Sequence, residues 1–240
     1  MAVDSILDGD GIRTITINRP PANAINYDMM RAIIQAFNEA SEDWNTKVVV
    51  FDSNNERFFS GGMEIKHPRP SIDTLPPGVP HPGSYMGREV FRAIYDCGAP
   101  VIAKVRGMAV GAGFLYACLA DFTIASETAK FGQFEIKVEA VGGAGILRRM
   151  MSEQAMRYLT WTAALVPVSE LVALGAGIRV VPDERLDEEV LEVARLLSSR
   201  RPRVTRHTKT SFNQVERLGA LDAYAFEQMH SQILSGELRS

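Results

Sequence analysis

A strand that runs through glycine into a helix leaves few choices to the fold around it. Residues 99–121, APVIAKVRGMAVGAGFLYACLAD, have that form. Pro100 to Val105 is an apolar strand, Gly107, Met108 and Ala109 turn the chain, and Phe114 to Leu119 reads as an apolar helix. Between them lies a corner of small residues, Gly111-Ala112-Gly113. The first N–H groups of a helix have no intrahelical acceptor, and with no bulky side chain nearby they can approach a ligand closely. Such a corner suits a phosphate, or the oxyanion of an activated carbonyl.

The surrounding sequence reads as an α/β layer arrangement. Arg13 to Asn18 alternates as a half-buried strand, and Asn26 or Asp28 caps a helix running to about Trp44. Lys47 to Asp52 is a buried strand, and Phe58 to Gly62 a strand edge ending in paired glycines. Residues 67–83, HPRPSIDTLPPGVPHPG, form a proline-dense loop, followed by a helix from Ser84 to about Asp96. Phe122 to Ser126 and Ile178 to Val181 are further strands. Ser152 caps a helix over 153–161, and Ser169 to Leu174 is a helix closed by glycine. The tail is nearly all helical, in segments 187–200, 203–217 and 220–235. Residues 1–185 thus read as an α/β core and 186–240 as a helical C-terminal region.

Composition narrows the function classes. A chain of 240 residues with net charge −3 is not a dedicated nucleic-acid binder. The cluster Arg200-Arg201-Pro202-Arg203 marks a helix boundary rather than a phosphate track. Cys97 and Cys118 sit among apolar residues, as in a reduced compartment, and four scattered histidines give no metal-ligand spacing. The N-terminus has no basic start before an apolar run, and no apolar stretch is long enough to span a bilayer, so a cytoplasmic protein is expected.

Two turns carry the candidate chemistry. Ser60-Gly61-Gly62-Met63-Glu64 and Gly111-Ala112-Gly113 each offer backbone N–H donors; aimed at one point, they form an oxyanion hole for a thioester or ester. Either cluster by itself is equally explained by close strand–helix packing. The cluster Gly142-Gly143-Ala144-Gly145 has neither the Lys-Ser/Thr ending of a phosphate loop nor a dinucleotide spacing. Acid–base candidates are Glu135, Glu139, Glu64, His67, His81, Tyr85 and His230. Glu135 lies in FGQFEI, where desolvation raises a carboxyl pKa toward that of a proton shuttle; a half-exposed glutamate is the plainer alternative. No serine sits in a Gly-x-Ser-x-Gly elbow.

In register, NRPPANAIN (18–26), RFFSGGMEIK (57–66), PVIAKVRGMAVGAGFLYACLAD (100–121), IASETAKFGQFEI (124–136), GGAGILRR (142–149) and LVALGAGIRVV (171–181) resemble the crotonase superfamily of enoyl-CoA hydratases and isomerases. The resemblance implies an α/β fold with a spiral core of ββα turns and a C-terminal helical trimerisation region. It implies a homotrimer or dimer of trimers acting on an acyl-CoA or acyl-carrier-protein thioester, with no further cofactor or metal. By the same resemblance the oxyanion donors are the N–H groups of Met63 and Ala112, and Glu135 is the acid–base carboxylate. Ala22, Ala24, Gly62, Glu64, Ile65 and Lys66 line the site for the coenzyme A portion. Gly111, Leu115, Glu139, Gly143, Tyr85 and Arg88 surround the acyl group.

Departures from the family pattern matter. Hydratases have a second glutamate where this chain has Leu115, so isomerisation or a related enolate step is expected ahead of hydration. Glu139 and Gly142 replace the usual glycine and proline of the wall beside Glu135. FEQMHSQI (226–233) resembles the tail of the decarboxylating branch of polyketide β-branching, which makes His230 a candidate catalytic residue. A decarboxylase or C–C hydrolase is therefore the alternative enzyme, and a non-catalytic crotonase-fold subunit the alternative of another class.

Overall fold

The computed structural model describes residues 2–64, 82–216, 218 and 220–235. Two sheets form the core. The larger contains β1 (Val3–Leu7), β2 (Ile12–Ile17), β3 (Val48–Ser53), β5 (Val101–Val105), β7 (Phe122–Ser126) and β10 (Ile178–Val181), neighbours in that order. β1 pairs antiparallel with β2, and every later pairing in this sheet is parallel. The smaller sheet runs β4 (Phe58–Ser60), β6 (Met108–Val110), β8 (Lys130–Gly132) and β9 (Leu165–Pro167). Its first three strands are parallel and β9 is antiparallel.

The helices are α1 (Tyr27–Glu42), α2 (Pro82–Tyr95), α3 (Ala112–Leu119), α4 (Ala144–Leu147), α5 (Glu153–Thr162), α6 (Val168–Ala173), α7 (Leu186–Ser198), α8 (Pro202–Val215) and α9 (Ala220–Ser235). Asn26 is the cap that starts α1, its side chain accepting from Met29 N–H at 2.9 Å. Ser152 caps α5 in the same way through Ala155 N–H. Sequence places the tail helices within about two residues. It does not anticipate β1, β6, β8 or β9. Met108 and Ala109, expected as turn, are strand, because Met108 and Ala109 pair with Lys130 and Phe131.

One apolar cluster lies between the sheets and α1–α3, with Phe37, Phe51, Phe59, Phe114, Tyr116 and Phe131 almost wholly removed from water. α3 is buried along its whole length, so its apolar character reflects a central position rather than one wet and one dry face. A second cluster covers the other face of the large sheet, where Leu186, Val190 and Ala194 of α7 meet Ile12, Val48, Ile102 and Ile124. The helical region is thus joined to the core through a shared apolar layer. Arg206 of α8 adds a polar joint: its guanidinium donates to the carbonyls of Ser41, Asp43 and Thr46 at the end of α1.

Candidate active site

The two turns meet. Gly62 follows β4 with φ +83°, and a Cβ there would stand 2.8 Å from Val110 O and 3.6 Å from Ala112 N. A Cβ on Gly113 would stand 2.6 Å from the Cβ of Ser60. Glycine at both positions lets the backbones after β4 and at the start of α3 touch. Gly111, with φ +53°, caps α3; its N–H donates to Gly132 O at 2.9 Å and its carbonyl accepts from Leu115 N–H at 3.0 Å. Ala112 N–H, first in the helix, has no intrahelical acceptor. The Ile25–Met63 bridge uses Ile25 N–H, Glu64 N–H and the carbonyls of Gly62 and Ile25, and leaves Met63 N–H outside the pairing.

Glu135 opens a short 3-10 turn over Glu135–Val138, just after β8. Its Oε1 lies 3.0 Å from where a Cβ on Gly111 would stand, one residue from Ala112 N–H. Its Oε2 is buried with no hydrogen-bond partner among the described residues. Burial raises the Glu135 pKa above the ordinary glutamate value, against the smaller lowering from the backbone N–H groups of Glu135 and Phe134. Glu139 ends the turn in the left-handed conformation, φ 55°, and is exposed. Its N–H and that of Ala140 both bond the carbonyl of Glu135, so Glu139 shapes the backbone that carries the carboxylate.

Leu115 lies one helical turn beyond Gly111 and is buried. A Cβ on Gly143 would meet Leu115 Cδ2 at 2.8 Å and Gln133 Nε2 at 3.1 Å. Leu115, Gly143 and Gln133 therefore adjoin one another. Gln133 is a residue the sequence reading passes over; the FGQ run gives no sign that its amide is inside.

The segments expected to face coenzyme A are tied together. Ala22 O accepts from Gly61 N–H at 2.8 Å, and Ala24 O accepts from Arg19 Nη1 at 2.8 Å. Arg19 also pairs with Glu64 at 3.0 Å, which links the 19–24 turn to the strand end carrying Met63. Asn23, buried with φ 49°, donates to Ser53 Oγ, and Ser60 Oγ donates to Asn23 O. Arg19, Asn23 and Ser60 are missed as supporting residues in the sequence reading, although the NRPPANAIN run contains two of them.

The remaining expected site residues lie on α2, on α9 or outside the described residues. Tyr85 and Arg88 lie on α2 with exposed side chains. Ile65, Lys66, His67 and His81, with residues 67–81 of the expected 67–83 loop, lie outside the described residues, while Pro82 and Gly83, expected in that loop, begin α2 because proline is compatible with the first turn of a helix. His230 is not brought to Glu135. On α9, its Nδ1 is 3.3 Å from His207 Nδ1 and its Nε2 is 2.9 Å from Gln214 Oε1, both on α8. A cavity of about 1150 Å³ beside the far end of α3, between α4 and α8, contains none of the expected site residues. No group of three His, Cys, Asp or Glu able to hold a metal occurs among the described residues. Nor is any described helix long and apolar enough to cross a membrane.

Short, mostly parallel strands lead into a glycine-capped helix that begins beside a second glycine turn. Residues 8–237 match the family model described as Enoyl-CoA hydratase/isomerase, and the chain belongs to that family. It is 32% identical over 228 residues to a (7aS)-7a-methyl-1,5-dioxo-2,3,5,6,7,7a-hexahydro-1H-indene-carboxyl-CoA hydrolase of Rhodococcus jostii, covering 95% of this chain and 87% of that protein. The similarly named hydrolase of Mycobacterium tuberculosis is 33% identical, over 95% of this chain and 91% of its own. A crotonyl-CoA hydratase of Syntrophomonas wolfei is 29% identical, over 94% of this chain and 90% of that protein. Among solved structures, an enoyl-CoA hydratase of Mycobacterium smegmatis superposes with TM-score 0.85 at 25% identity, over 96% of this chain and 90% of that one. The chain is an enzyme of this family; the family's hydratases act on CoA thioesters and need no cofactor.

Proposed function

We propose that the chain carries out thioester enolate chemistry with one carboxylate. The N–H groups of Met63 and Ala112 hold the thioester oxygen as negative charge develops on it, and Glu135 moves the proton. The observation that carries this reading is the Glu135 carboxylate set against Gly111, with one buried oxygen unpartnered and its pKa raised by burial. In double-bond isomerisation, Glu135 takes a proton from one carbon, the electron pair spreads to the oxygen, and the proton returns at the other carbon. No water is consumed. Leu115 favours this over hydration, because it puts an apolar side chain at the position where the resemblance gives hydratases their second glutamate.

C–C hydrolysis is the second reading, favoured by the two hydrolases at 32% and 33% identity. There water adds to a ketone two carbons from the thioester carbonyl and the carbon–carbon bond breaks. Its electron pair passes to the thioester as an enolate, which Glu135 protonates. Both reactions use one hole and one carboxylate. The substrate is read as a coenzyme A thioester; a carrier-protein thioester would leave the Arg19–Glu64 side of the site without its adenine partner. The decarboxylase reading loses its support from His230, whose ring nitrogens are engaged on α8.

Glu135→Gln tests the proposal: turnover falls by at least a hundredfold while acyl-CoA binding persists. Unchanged turnover removes Glu135 from the mechanism, and failure of the wild type to bind any acyl-CoA in calorimetry revives a non-catalytic subunit. Product analysis with an enoyl-CoA and a β-ketoacyl-CoA separates isomerase from hydrolase. A cytoplasmic homotrimer or dimer of trimers accompanies this reading; exposed Phe212 (59%) on α8 supports the assembly, and sedimentation measures it. Residues 1–185 then supply the site and 186–240 the contacts between copies.

A further inference from the structure

The last carbonyls of a helix have no N–H partner within it. At the end of α3 each has a partner elsewhere. Tyr116 O accepts from the cap residue Ala120, and Ala117 O from Thr123 Oγ1 at 3.1 Å. Cys118 O and Leu119 O both accept from Arg149 Nη1, at 3.1 and 3.0 Å. One guanidinium therefore closes the far end of α3, and a cation there also suits the negative end of the helix.

Arg149 is held in turn. Its Nε lies 3.2 Å from Glu216 Oε1, and its guanidinium lies 4.6 Å from the centre of the Tyr95 ring. Glu216 Oε2 accepts from the Tyr95 hydroxyl at 2.5 Å, and Asn213 Nδ2 donates to Tyr95 O at 2.9 Å. Burial first, and Glu216 second, push the Tyr95 pKa up to about 12, so the hydroxyl stays a donor at neutral pH. Tyr95 ends α2, and Asn213 and Glu216 lie at the end of α8.

α3 has eight residues and is about 12 Å long. Its start rests on the strand end before it: a Cβ on Gly113 would stand 2.6 Å from Ser60 Cβ. That contact fixes where α3 begins; a second fixed point sets its direction, and Arg149 supplies one at the other end. The first N–H of a helix points along the axis, so the direction of α3 is the direction in which Ala112 N–H is aimed. A hydrogen bond weakens steeply as its angle closes.

Resting on the enolate reading above, we propose that Arg149 is a positioning residue: its guanidinium, clamped by Glu216 and Tyr95, orients α3 and so aims the Ala112 N–H at the thioester oxygen. The C-terminal region then takes part in the chemistry through Glu216.

The test uses butyryl-CoA in heavy water, followed by proton NMR. This thioester has neither a double bond to shift nor a ketone to cleave. Glu135 takes a proton from the carbon next to the carbonyl, the electron pair passes to the thioester oxygen, and a deuteron returns to the carbon. Arg149→Met is expected to exchange about tenfold more slowly at saturation, with the half-saturating concentration within about twofold of the wild type. Arg149→Lys, which keeps the charge and can cap one carbonyl, is expected to fall between the two. Glu216 is the more exposed of the pair, and Glu216→Ala is expected to slow exchange in the same direction. It serves where Arg149→Met does not fold. An unchanged rate at saturation in folded Arg149→Met or, failing that, Glu216→Ala overturns the role of Arg149 and leaves the enolate reading standing. A rise in the half-saturating concentration with no fall in that rate overturns it too. Binding of butyryl-CoA without exchange in the wild type overturns the enolate reading itself.

Discussion

Glu135 and Gly111 share one space: the carboxylate Oε1 lies 3.0 Å from the point a Cβ on residue 111 would occupy. A carboxylate so placed is desolvated, and its pKa is raised by that burial. A carboxyl with a raised folded pKa favours folding most below its unfolded pKa, and that contribution is lost as pH rises through the folded value. Glu135→Gln is therefore expected to melt higher than the wild type above the folded pKa, with the gap closing in acid. Melting curves across pH check this. An unchanged gap across that range would show that the carboxyl is solvated.

Ala112→Pro removes one N–H at the first position of α3, where proline is compatible with a helix. Melting is expected to stay near that of the wild type while kcat/KM drops by roughly a hundredfold or more. Wild-type turnover in a folded Ala112→Pro protein would exclude this N–H as an oxyanion donor.

Lys104 Nζ lies 2.6 Å from Asp52 Oδ2 and 2.6 Å from Asp187 Oδ1. Burial raises the Asp52 pKa although Lys104 pulls it down, so the lysine is what keeps that carboxylate tolerable beneath the sheet. Lys104→Met is expected to destabilise the fold by about 3 kcal/mol, the cost of leaving a buried charge unpaired. Denaturant titration of Lys104→Met against Lys104→Met/Asp52→Asn measures it, and the second change should recover much of the loss.

The His207–His230 contact makes α9 sensitive to acid. Burial first, and the neighbouring His207 second, lower the His230 pKa. A histidine with a lowered folded pKa contributes stability that is present above its unfolded value and lost as pH falls. Amide exchange across residues 220–235, corrected for intrinsic rates, is expected to quicken below about pH 6.5 in the wild type. The same segment in His230→Gln should show no such step.

Much of this is legible in the chain itself, for identifiable reasons. β3, β7 and β10 announce themselves as short apolar runs, and α5 by its serine cap. The meeting of the two glycine turns follows from the family resemblance and from the strand–helix pattern around residue 111. β6, β8 and β9 are three residues each, too short to show a period, and exist because neighbouring strands supply their pairing. His230 illustrates the opposite failure: a motif on a helix names a residue but not the neighbour it will pack against. Gln133 is invisible in sequence because an amide's burial depends on Gly142, Gly143 and Leu115, which only the folded chain assembles around it.

The Gly62–Ala112 contact has a consequence for how this enzyme can change. A Cβ on Gly62 would stand 2.8 Å from Val110 O, so the spacing of the Met63 and Ala112 N–H groups is set by main chain resting on main chain. No side-chain substitution can widen or narrow it by degrees; it is kept whole or broken. An exchange of side chain at position 115 or 135, by contrast, leaves that main-chain frame as it is.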